Sequence, residues 1–114
     1  MNSTIYKIAP RDLWRQAEEK GVFEGAPVDH ADGFIHFSTA EQARETAAKH
    51  FAGEDGLMLA ELETDRMGDA LKWEKSRGGA LFPHFYGPLT LAHVTWCQPL
   101  PLRDGVHQFP ETFA

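Results

Sequence analysis

Positive charge, cysteine and long apolar runs are all scarce in this chain. Its 114 residues carry 11 Lys and Arg against 17 Asp and Glu, a formal net charge of −6. A chain that acidic lacks the basic face that bulk nucleic-acid binding requires, yet it leaves room for a small anion held by a few local donors. The single cysteine, Cys97, has no intrachain partner, so a disulfide-built secreted fold is excluded and a reducing cytoplasm is the expected setting. Trp96 beside it makes Cys97 read as a small buried hydrophobe rather than a nucleophile. No apolar run approaches a membrane span, and Met1 to Lys7 lacks the apolar segment of a signal peptide. Internal repeats, low-complexity tracts and linkers are missing too. Residues 1–114 therefore read as a single domain, large enough to build a core without a metal or disulfide staple. Nothing in the sequence speaks to an oligomer.

What is present is a mixed pattern of strands and helices. Thr4 to Ile8 alternates and is β-rich, as a first strand would be. Pro10 opens a helix with Asp12 in its first turn, Leu13, Trp14 and Ala17 on its apolar stripe, and Gly21 at its end. Glu24 to Pro27 reads as a loop, and Asp32-Gly33 as a turn. Phe34 to Phe37 is aromatic and β-branched, which predicts a short strand. Ser38 or Thr39 then caps a second helix, with Glu41 at capping-box spacing from Ser38. Ala43, Ala47, Ala48 and Phe51 carry that helix from Thr39 to about Ala52, before Gly53. Leu57–Glu63 predicts a strand, Thr64–Asp69 a loop or single helical turn, and Leu71–Glu74 a short strand. Arg77 to Pro88 reads as a long loop, His93–Leu100 as the last strand, and the tail from Arg103 as irregular. The order β-α-β-α-β-β-loop-β favours an α+β fold.

Two polar segments stand out as candidates to face one cleft. In the first, His36 lies near a strand end, two residues before Ser38 and next to Thr39 at a helix mouth. An imidazole and a hydroxyl there suit ribose hydroxyls or an amide, and free helix N–H groups suit an anion such as phosphate. The competing reading is a buried histidine satisfied by a backbone carbonyl, with Ser38 only a cap. In the second, Arg77 and Gly78 could present a guanidinium and exposed N–H groups to a phosphate. Phe82, Pro83, His84, Phe85 and Tyr86 form an aromatic wall that would stack a flat ring, or else a satellite core under the loop. Glu74, beside Trp73, is a candidate base or ribose contact; otherwise it pairs with Lys72 or Lys75. His30, Asp32 and His36 offer metal-ligand types without a metal-site spacing, so His30 and Asp32 read as solvated turn residues and no metal is expected. His50, His93 and His107 have no constellation around them.

The segments Ile5-Tyr6-Lys7-Ile8, Gly25 to Asp29, Ala31 to Thr39, Lys72 to Leu89 and the closing strand resemble the small bacterial domain-of-unknown-function family nine-five-two. That family is grouped with the ADP-ribosyltransferase-like fold, a split, mostly antiparallel sheet with two main helices around an NAD-binding cleft. The resemblance implies that His36 and Ser38 hold the nicotinamide ribose and that Tyr86 stacks on the nicotinamide. It also implies that a glutamate activates the acceptor, with Glu74 the candidate. The function it implies is binding of NAD or a related nucleotide, with transfer or removal of ADP-ribose. His36 and Glu74 would be catalytic, and Ser38, Thr39, Arg77, Gly78, Phe82, His84 and Tyr86 would bind. The alternative is a non-catalytic module for a small anion or nucleotide.

Overall fold

The computed structural model describes residues 4–75 and 79–110, apart from the side chain of Val28. Along the chain, β1 (Thr4–Pro10) leads into α1 (Arg11–Lys20), β2 (Val22–Phe23), α2 (Pro27–Asp32) and β3 (Ile35–His36). There follow α3 (Ala40–His50), β4 (Leu57–Glu63), β5 (Leu71–Lys75) and β6 (Leu81–Phe85). The chain closes with β7 (Leu89–Thr90), β8 (Val94–Leu100), β9 (Leu102–Arg103) and β10 (Val106–His107).

Strand alternation divides the core. Successive side chains of β1 point to opposite faces, so Ile5 and Ala9 join one cluster while Tyr6 and Ile8 join another. β4 pairs antiparallel with β1, placing Leu62 opposite Ile5, and β8 pairs with the other side of β4. Ala60 and Leu62 face the first cluster, Leu57 and Leu59 the second. Trp14 and Ala17 of α1 close the first face, and Ala43 and Ala47 of α3 close the second. The sheet β1–β4–β8 is thus covered on both sides.

A second sheet, β3–β6–β5, is also antiparallel throughout. Its backbone joins that of the first at one bridge among the described residues. Just past β3, Ser38 and Tyr6 exchange backbone hydrogen bonds of 2.7 and 2.9 Å across the free edge of β1. Two-residue ribbons β2–β7 and β9–β10 complete an α+β fold of mostly antiparallel sheets with few helices. No helix among the described residues is long and apolar enough to cross a membrane.

Several local expectations need correction. The stretch before the central strand is not turn alone but the six-residue α2, with Pro27 in its first turn and Gly33 (φ 85°) closing it in the left-handed region. Among the described residues it adds a short third α-helix to the two main ones. The strand after it spans only Ile35 and His36. Thr39, not Ser38, caps α3, and Gln42 rather than Glu41 completes the capping box. The expected loop from Arg77 to Pro88 contains β6. Pro83 is tolerated within that strand because it lies opposite Phe37, just beyond the end of β3, and accepts from Phe37 N–H at 3.0 Å. Its missing donor therefore removes only one rung of the ladder. The tail from Arg103, expected to be irregular, folds into β9 and β10 around Asp104-Gly105, both at positive φ, a turn pair with a local signature.

Candidate functional site

The site begins with a lysine in the wrong place for a lysine. Lys7 shares its side of β1 with Ile5 and Ala9, and it is 5% exposed. A buried ammonium needs a counter-charge. Asp29, 2% exposed on α2, provides it, with both carboxylate oxygens 3.1 and 3.2 Å from Lys7 Nζ. Nζ also donates to the His36 carbonyl at 2.9 Å and lies over the rings of Phe23 and Phe37. Burial lowers the Lys7 pKa, and the Asp29 charge offsets part of that.

Asp29 in turn organises His36. Its Oδ1 accepts from the His36 backbone N–H at 3.0 Å and sits 2.6 Å from His36 Nδ1, while Oδ2 accepts from Ala26 N–H at 2.7 Å. Burial alone would raise the Asp29 carboxyl. The His36 ring, the Lys7 ammonium and the two backbone donors outweigh it and hold the group well below the usual carboxylate range. At the other end of the ring, His36 Nε2 lies 2.9 Å from Asp32 Oδ2, at the exposed end of α2. The imidazole is therefore fixed between a buried and an exposed carboxylate. It is not the backbone-satisfied histidine of the bland reading.

The facing strand repeats the theme. His84 on β6 is paired in register with His36 on β3. Its Nδ1 lies 2.8 Å from Glu74 Oε1, and the Tyr86 hydroxyl donates to the same oxygen at 2.7 Å. The Tyr86 and His84 hydrogen bonds lower the Glu74 pKa; the same bond to Glu74 raises that of the Tyr86 phenol. Glu74 thus pairs with His84 and Tyr86, not with Lys72 or Lys75. Phe34 stacks on His84 at 4.1 Å and contacts the rings of His36 and Tyr86 at 4.6 and 5.3 Å.

Between these groups lies a cavity of about 410 Å³. His36 and Asp32 form one wall, Phe82 and His84 another, and Tyr6 with Ser38 the floor along the sheet junction. Thr46, His50 and Phe51 close it from the α3 side. Alternation along β6 sends Phe82 and His84 into the cavity and Phe85 into the core. Of the sequence candidates, His36, Ser38, Phe82 and His84 therefore converge. Ser38 is buried and its hydroxyl is 3.0 Å from that of Thr46. Thr39, Glu74 and Tyr86 do not line the cavity; Thr39 is spent on the cap, and Tyr86 is 44% exposed on the far side of Phe34. Arg77 and Gly78 lie outside the described residues.

His30 lines a separate hollow with Glu24, Gly33 and Phe34, so it does not join His36 and Asp32. Among the described residues no three His, Cys, Asp or Glu side chains are grouped to hold a metal ion. Cys97 is half-buried, and burial, then the Glu18 charge, pushes its thiol up to about 11. His50 was given no role and lines the cavity; His107 donates to the Glu54 carbonyl at 2.8 Å. The residues that sequence reading missed are Lys7 and Asp29. Lys7 carried a signal, a charge at a core-facing position of an alternating strand. Asp29 carried none, since its partners lie 22 residues before it and 7 after.

A family model described as a protein of unknown function, DUF952, matches residues 8–97. The chain belongs to the DUF952 family. This DUF952 chain is similar to protein CC0527 from Caulobacter crescentus, whose X-ray crystal structure has been solved. It is 53% identical, and the match covers 93% of this chain and 94% of that one with a TM-score of 0.89. The solution NMR structure of CC0527 matches with 54% identity, 92% and 91% coverage and a TM-score of 0.84. No functionally curated protein matches the chain.

Proposed function

We propose that this DUF952 protein is ADP-ribosyltransferase-like and takes NAD or a related nucleotide in the His36 cleft, where ADP-ribose is transferred or removed. The observation that carries the reading is one cavity lined by a carboxylate-fixed imidazole, a serine and an aromatic strand. Its volume of about 410 Å³ falls in the range of roughly 300–1,000 Å³ typical of small-molecule sites. It suits the nucleoside end of a dinucleotide better than the whole. In this reading a ribose hydroxyl displaces Asp32 from His36 Nε2, Phe82 packs against the nicotinamide, and Arg77 and Gly78 meet phosphate. Tyr86 acts on the ligand only through Phe34 and Glu74. Breaking the glycosidic bond builds positive charge on the ribose, and Asp32 is the carboxylate in the cavity that would stabilise it. Titration calorimetry with NAD and with ADP-ribose is expected to give heat for both, lost in His36→Ala. No heat with either ligand overturns the proposal.

One observation favours a second reading, a binding module without turnover. Glu74, the expected catalytic carboxylate, is committed to His84 and Tyr86 and stands outside the cavity lining. That reading predicts thermal stabilisation by nucleotide with no nicotinamide released. Steady NAD consumption that disappears in His36→Ala excludes it.

A further inference from the structure

His84 lines the cavity, and the reading above leaves it without a task. It is 4% exposed and opposite His36 in register, and the two rings meet edge-on with centroids 5.5 Å apart. Two contacts fix its plane and its tautomer. Phe34 stacks on one face at 4.1 Å, and the Glu74 carboxylate lies 2.8 Å from Nδ1. A carboxylate can only accept, so in the neutral ring Nδ1 carries the proton and Nε2 the lone pair. Among the described residues that Nε2 has no hydrogen-bond partner, and no buried side-chain nitrogen is left unsatisfied, so it opens on the cavity.

His36 is set the opposite way. Both of its ring nitrogens face carboxylate oxygens, at 2.6 and 2.9 Å, so the ring serves both only by donating from both. Facing strands therefore bring an acceptor nitrogen and a donor N–H to one cavity. No other pair of cavity-lining groups described above offers that combination at a carboxylate-fixed ring. The His36 N–H is taken, by Asp32 here and by a ribose hydroxyl in the nucleotide reading, so His84 Nε2 is the one of the two left to accept the proton of a water or acceptor hydroxyl.

We infer that His84, held by Glu74, is the general base of the cleft, acting on a water or hydroxyl acceptor that attacks C1′ of an N-riboside with a cationic leaving base, the class to which NAD belongs. The inference rests on the nucleotide reading and assigns the role the glutamate was expected to fill. As the oxygen–C1′ bond forms, the C1′–N bond breaks and its electron pair leaves with the pyridine nitrogen, which becomes neutral. The proton of the attacking oxygen passes to His84 Nε2 and then to solvent. Glu74 touches His84 and not the ligand, so it is a positioning residue. The other charged or titratable groups around His84 are Lys72, its register partner on β5, Tyr86 on the same Glu74 oxygen, His36 with Asp32 on the opposite wall, and Tyr6, Lys7 and His50 elsewhere in the cavity lining.

The experiment follows nicotinamide release from NAD alongside calorimetric NAD binding in the full chain. His84→Gln is expected to bind NAD and to release nicotinamide about a hundredfold more slowly, the usual size of a lost general base. Glu74→Gln is expected to lose about tenfold, and its ¹⁵N imidazole spectrum should show His84 no longer held as the Nδ1–H tautomer seen in the parent. Added imidazole is expected to restore part of the rate to His84→Ala; if that variant fails to fold, His84→Gln and the spectrum decide. Three results overturn the inference: NAD bound but no nicotinamide released, His84→Gln turning over at the parent rate, or a parent spectrum without the Nδ1–H tautomer. The first leaves nucleotide binding standing. Failure to bind NAD or ADP-ribose removes that reading, and this inference with it.

Discussion

At the scale of single residues, Asp29 holds more of the site together than any side chain the ligand would touch. It neutralises Lys7, accepts from the backbone at Ala26 and His36, and orients the His36 ring. Replacing it with Asn leaves a buried ammonium uncompensated, a change expected to cost about 3–5 kcal/mol in urea unfolding. The double variant Lys7→Met with Asp29→Asn removes both charges and should recover part of that loss. The same carboxylate sets an acid limit. Despite burial, the His36 ring and the Lys7 ammonium hold its folded pKa well below the ordinary carboxyl value of 3.8, so its contribution to stability is complete above about pH 4 and is lost progressively as the pH falls below that. Unfolding free energies measured between pH 6 and 2 are expected to fall steeply at the acid end, with a shallower slope in Asp29→Asn. Of this apparatus only His36 and Ser38 were legible in the sequence, because a strand end beside a helix cap is a local pattern. The partners of His36 come from α2 and β1, and chain proximity says nothing about them.

At the scale of elements, the mouth of α3 does structural work before any binding. Thr39 accepts from Gln42 N–H at 3.2 Å, and the Gln42 side chain accepts from Thr39 N–H while donating to the Leu81 carbonyl at 2.8 Å. One capping box thus ties the helix to β6, the strand that carries Phe82 and His84. Thr39→Ala is expected to lower stability by about 1 kcal/mol, as loss of a cap generally does, read as a shift in the urea midpoint. α1, whose apolar stripe and terminal Gly21 were plain in the sequence, appears as expected. β6 did not read as a strand, since the whole glycine-rich and aromatic segment from Arg77 to Pro88 reads as one long loop, and Pro83 lies within it. The proline is tolerated because β3 stops one residue too early to need its N–H.

At the scale of the whole molecule, two three-stranded sheets meet along a seam where Tyr6 pairs with Ser38 and Lys7 donates to the His36 carbonyl, and the cavity opens at that seam. The β1–β4–β8 sheet is covered by α1 on one face and α3 on the other, leaving its Ile5, Leu59 and Leu62 fully buried, whereas β9 and β10 pair only with each other among the described residues. Amide hydrogen exchange should therefore be slowest in β1 and β4 and orders of magnitude faster in the terminal ribbon. Uniform protection across both would contradict this division of the core.

The sequence by itself determined the class of fold, the first and last helices, most long strands, and the family. Each rests on hydrophobic period, on Gly, Pro and cap residues, or on long contiguous motifs, all readable within a few positions. Only the tertiary structure decided which side chains meet. It set Lys7 beneath α2, drew His84 level with His36, and turned Glu74 and Tyr86 away from the cavity. Those outcomes depend on strand register and helix packing between residues up to some fifty positions apart, relations that no local spacing along the chain encodes.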